Sequence, residues 1–140
     1  MAHVKKSTVS LRVYGKDLIP DKISVLLGAC PTSGLTMAEN KAGKVGMWRL
    51  QASSREPADL DSQIQELLSQ ITGDLAVWQS ITDKYQADIF FGLFMGRRNE
   101  AVAISAQSMA ALGTRGIRMG LDIYGGIDEE PDEQPEISRR

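Results

Sequence analysis

At 140 residues, with 42% hydrophobic and 24% charged side chains, the chain has the size and composition of one globular domain; such a length buries about two-thirds of its unfolded surface. A formal net charge of -2 lacks the basic excess of a phosphate-tracking surface, so nucleic acid is not the favoured partner. The longest apolar run, "IFFGLFM", is far short of the roughly 20 residues that span a bilayer, the start carries no signal-like apolar core, and a lone cysteine closes no internal disulfide. A cytoplasmic protein without membrane contact is expected.

Residues 1–8 read as a flexible start. "VSLRVYG", 9–15, then alternates Val9, Leu11 and Val13 with Ser10, Arg12 and Tyr14, the period-two signature of a strand buried on one face. Pro20 opens "PDKISVLLG", with Ile23, Leu26 and Leu27 at helical spacing and Gly28 as the stop. A polar connection leads to a second strand, "KVGMWRLQ" at 44–51. "PADLDSQIQELLSQITG" sets Leu60, Ile64, Leu67, Leu68 and Ile71 along one helical stripe, and Leu75, Trp78, Ile81 and Tyr85 continue helical spacing beyond Gly73.

"ADIFFGLFMG", 87–96, is apolar in both parities and reads as a central strand, with Ile89, Phe91, Leu93 and Met95 on one face and Phe90 and Phe94 on the other. Ser105 caps a helix whose expected buried stripe is Ala106, Met109, Ala110 and Leu112, ended by Gly113. "GIRMGLDIYGG" alternates Ile117, Met119, Leu121 and Ile123 with Arg118, Gly120, Asp122 and Tyr124, a half-buried strand. The last 16 residues hold six acids, two arginines and two prolines, a composition that predicts a disordered acidic tail over 125–140. A single α+β domain over 9–124 remains. Its two strand-helix-strand halves predict a four-stranded, mostly antiparallel, ferredoxin-like sheet with helices packed on one face.

Four segments together carry a resemblance: "LRVYGKDLIPDKISVLLGACPT", "GMWRLQAS", "LDSQIQELLSQI" and "ISAQSMAALGTRGIRMGLDIY". In this order the chain resembles the bacterial family known as domain of unknown function 4279, over almost all of residues 9–124. The resemblance implies a small cytoplasmic α/β domain and brings no catalytic residues with it. Related small bacterial domains that serve as immunity or partner proteins beside toxins supply an analogy for a toxin-type protein partner.

Catalytic chemistry finds little to work with. The sole histidine, His3, lies in the flexible start, one Cys and one His cannot close a zinc site, and "AGKVG" puts Val45 where a phosphate loop needs a hydroxyl. Cys30 stands in "CPTSG" after the end of a helix, where exposed carbonyls disfavour a thiolate. No catalytic residue, metal or cofactor is assigned. Asp88 and Asp122 share a parity on two strands that can be neighbours, which offers a carboxylate pair; the favoured reading is that each faces water or pairs with Arg12 or Arg118 across the sheet.

More informative is the sheet face opposite the helices, which should gather Arg12, Tyr14, Phe90, Phe94, Arg118 and Tyr124. Aromatics mixed with guanidinium groups are enriched at interfaces. This face predicts a non-enzymatic binding or interaction module that forms a homodimer through its open sheet. The competing expectation is a small enzyme or anionic-metabolite-binding domain using Cys30, or Arg97 and Arg98 in "GRRNE" with the helix end at Ser105.

Overall fold

The structure, a computed structural model, describes residues 3–41 and 43–126. The acidic tail expected over 125–140 lies outside the described residues, save its first two glycines. In chain order the elements are β1 (Lys6–Gly15), α1 (Pro20–Leu27), β2 (Ser33–Leu35), β3 (Gly46–Gln51), α2 (Leu60–Leu68), α3 (Leu75–Thr82), β4 (Gln86–Phe94), α4 (Ala106–Thr114) and β5 (Arg118–Tyr124).

Local chemistry sets the helix boundaries. Pro20 stands at the start of α1, and Gly28 ends it at a φ of 73°, a left-handed conformation that glycine adopts without a Cβ penalty. Asp59, Asp74 and Ser105 cap α2, α3 and α4 by accepting backbone N–H bonds from Ser62, Ala76 and Ser108.

The sheet is five-stranded and mixed, in the order β2-β3-β1-β4-β5. Strands β2 with β3, β3 with β1, and β1 with β4 pair antiparallel, whereas β4 and β5 run parallel. This overturns the four-stranded, mostly antiparallel, ferredoxin-like expectation. The two halves that look alike in sequence end differently. After α1 the chain makes the short strand β2 and turns back through β3, so β3 returns beside β1 in the opposite direction, while α4 carries the chain over to a β5 parallel to β4. Only three residues long and exposed along its length, β2 has no apolar pattern. It is fastened through Thr32, whose N–H donates to the Arg49 carbonyl and whose Oγ1 accepts from the Gln51 N–H.

Val9, Leu11, Val13, Trp48, Leu50, Ile89, Phe91 and Leu93 point to one side of the sheet and join Ile23, Leu27, Leu60, Ile64, Leu67, Trp78, Ile81 and Leu112 from all four helices in one core. The core reaches beyond Val9 to the buried Val4. Between them, buried Ser7 donates through Oγ to Gln63 Oε1 (2.6 Å), and Gln63 Nε2 donates to the carbonyls of Ser7 and Ser53. This polar lock satisfies both buried side chains and fixes α2 on β1.

Two helical stripes differ from expectation. In α1, Leu26 is exposed while Ile23 and Leu27 are buried. In α4, Ser108 and Leu112 face inward and Met109 is exposed, so the stripe is shifted by one residue toward the groove shared with α2. The β5 pattern is also less buried than its alternation predicts. Ile117, just before the strand, is in the core, but Leu121 and Ile123 are 48% and 57% exposed because β5 is the last strand of the sheet.

Candidate interaction face

The register brings all six residues of the expected face onto the side of the sheet opposite the core. Arg12 lies across from Asp88, Asp88 across from Arg118, and Phe94 across from Tyr124, with Tyr14 and Phe90 on the same parity. No helix lies over this side among the described residues: the helices' buried apolar side chains all belong to the core on the other side.

At the centre Asp88 is buried with 1% exposure. A carboxylate held that deep needs an opposite charge and filled lone pairs. Arg12 supplies both, donating from Nε to Oδ1 at 2.8 Å and from Nη2 to Oδ2 at 2.7 Å. This fork fixes the guanidinium plane, and the bonds to Asp88 push the Arg12 pKa above its ordinary value. The same guanidinium lies 4.4 Å from the Phe90 ring centroid and 5.8 Å from that of Tyr14, so it joins the carboxylate and two aromatics into one unit. Arg118 Nη2 donates to Tyr14 Oη at 3.4 Å.

A second unit lies farther along the strands. Phe94 and Tyr124 stack with centroids 4.6 Å apart and planes within 2°, and Lys6 Nζ is 5.6 Å from the Phe94 centroid. Tyr124 Oη donates to Asp122 Oδ2 at 2.8 Å, and that bond raises the tyrosine's pKa. Asp88 and Asp122 thus have separate partners and do not form a carboxylate pair.

Between the units is a depression of about 290 Å³ lined by Thr8, Ser10, Arg12, Arg49, Gln51, Phe90, Gly92, Phe94, Asp122 and Tyr124. Its floor depends on glycine. A Cβ at Gly92 would stand 2.6 Å from Thr8 Oγ1 and 3.4 Å from the Phe94 ring, and one at Gly120 would meet the Phe90 ring at 3.0 Å. The rings therefore lie down over bare backbone, which keeps Phe90 and Phe94 half-buried. Arg49, Gln51 and the two glycines escaped the sequence reading. Arg49 was within reach of it: with Trp48 and Leu50 facing inward, Arg49 must face outward beside Arg12.

The competing sites are not assembled. Cys30 is exposed in the turn that leads to β2, whereas His3 bridges to Ala101 and lines a shallow depression with Lys5, Arg97 and Glu100. Arg98 is exposed in the same loop as Arg97. Ser105 lines a different groove, between α2 and α4, and there the backbone N–H of Ser105 donates to Asp61 Oδ1 at 3.0 Å. The amide end of α4 thus already has an anion from its own chain, and bonds from the Ser105 N–H and the Ser108 hydroxyl hold the Asp61 pKa down. Among the described residues no three His, Cys, Asp or Glu side chains are grouped to hold a metal, and no helix is long and apolar enough to cross a membrane.

No curated protein and no solved structure matches the chain. The family described as "Domain of unknown function (DUF4279)" matches residues 5–126, and the chain belongs to it.

Proposed function

We propose that this member of the family is a non-enzymatic interaction module that self-associates through its open sheet face. One observation carries the reading: a five-stranded sheet has its helices on one side only among the described residues, and the other side presents Tyr14, Phe90, Phe94 and Tyr124 among guanidinium groups. Soluble chains rarely leave such a face without a partner. Two features suit it to docking. The Arg12–Asp88 fork and the Phe94–Tyr124 stack hold their side chains in place before any partner arrives, so less rotamer freedom is lost on association. The charges on the face are also of both signs, as a surface that meets its own copy needs.

Sedimentation of the full-length chain tests the reading. The expected result is a concentration-dependent mass above that of the monomer, lowered by Phe94→Asp. A mass that Phe94→Asp leaves unchanged refutes the open-face contact.

A further inference from the structure

The sheet ends in two unlike edges. At one, β2 is only three residues long. At the other, β5 runs for seven residues with no proline or lysine, and exposes Leu121, Ile123 and Tyr124. Natural sheets commonly blunt such an edge with those residues, with shortness or with a covering element.

Its backbone is also set for pairing. The Tyr124 carbonyl accepts from the Met95 N–H, so the even-numbered residues of β5 turn their backbone groups toward β4. Because strand residues alternate, Met119, Leu121 and Ile123 turn their N–H and C=O groups outward.

We propose that β5 pairs antiparallel with β5 of a second copy, about a two-fold axis at Leu121, to join two sheets edge to edge. The sequence "RMGLDIY" is complementary to itself in this register. Leu121 meets Leu121 of the second copy and Met119 meets Ile123, so the helix side of the seam is apolar throughout. On the open side Arg118 meets the Tyr124 ring, with Asp122 of the second copy at the diagonal position, where opposite charges on neighbouring strands attract. Leu121 is the middle of the strand, so this register pairs its full length. Centring on Asp122 would set carboxylate against carboxylate. Centring on Gly120 would draw Gly116, at a φ of 72°, into the ladder, and that is not a strand conformation.

This contact goes beyond the open-face contact: Arg118 and Tyr124 stand at both, but the edge ladder is made by the outward backbone groups of Met119, Leu121 and Ile123, which the open face does not use. A chain carrying both assembles past a dimer: Phe94→Asp leaves dimers joined at β5, and a β5 variant leaves dimers joined at the open face. Hydrogen exchange of the full-length protein, followed against concentration beside sedimentation, separates the two. The expected result is that the amides of Met119, Leu121 and Ile123 are protected at high concentration and lose roughly tenfold or more of that protection on dilution.

Ile123→Pro removes an outward N–H that the isolated fold does not use, a position where an edge strand tolerates proline. It should abolish this protection and lower the mass, with the thermal midpoint kept; Leu121→Lys should do the same should the proline variant fail to fold. Three outcomes overturn the edge contact: a chain monomeric at every concentration, protection of these amides that dilution does not change, and an assembly whose Leu121 amide exchanges freely. The last of these, with a mass sensitive to Phe94→Asp, leaves the open-face reading standing.

Discussion

The two faces of one sheet solve opposite problems with the same five strands. On the covered side, Val9, Leu11 and Val13 of β1, Trp48 and Leu50 of β3, and Ile89, Phe91 and Leu93 of β4 are almost wholly withdrawn from water, so removal of apolar surface holds the helices down. On the open side the strands carry Arg12, Asp88, Arg118 and four aromatic rings, and order comes from directed contacts: a fork, a stack and rings laid over glycine. The covered face supplies stability, and the open face supplies a fixed shape at little cost to it.

That contrast can be broken at its strongest point. Phe91→Ala empties a fully buried position in the middle of the covered face and should cost about 3–5 kcal/mol, read from the denaturant midpoint. The equivalent truncation on the open face, Phe94→Ala, should cost under about 1 kcal/mol, because the ring is half-buried and its partner Tyr124 can remain in water. Equal costs would end the distinction.

Asp88 tests where the open face departs most from its own rule, being 1% exposed on the side that carries the solvent-facing side chains. Asp88→Ala should cost about 1–3 kcal/mol, below the usual loss for breaking a buried pair, since the Arg12 side chain keeps 28% exposure and can rehydrate. Arg12→Met combined with Asp88→Ala should cost less than the sum of the two single changes.

The smallest effect belongs to the outside of the helix layer. The pKa of Asp61 is lowered in the folded state, chiefly by the Ser105 N–H, so its contribution is present above the unfolded value near 3.8 and is lost as pH falls through the depressed folded value. Asp61→Asn should lower stability by at most about 1 kcal/mol at neutral pH, and the gap should close as pH drops below the unfolded value, in a series of unfolding curves.

Much of the open face was legible because parity is legible. Once Val9, Leu11 and Val13 point inward, Arg12 and Tyr14 must point outward, and the same rule places Phe90, Phe94, Arg118 and Tyr124. Strand direction leaves no such mark. Alternation reads the same for a parallel as for an antiparallel neighbour, which is why the parallel pairing of β5 with β4 was not foreseen and the halves looked equivalent. Strand β2 was missed because hydrogen bonds to Thr32 anchor its approach where no apolar side chain does. The start of β1 escaped for a related reason: its inward residue Ser7 is polar, and its partner Gln63 lies 56 residues later.

β1 stands in the middle of the sheet although it is made first. Arg12 leaves the ribosome 76 residues before Asp88, an interval of roughly 4–15 s at about 5–20 residues per second. During that time one side of the strand has no neighbour, and the early segment cannot mature as a unit. Completion waits for β4, and the order of synthesis makes this domain a late folder on the translating ribosome.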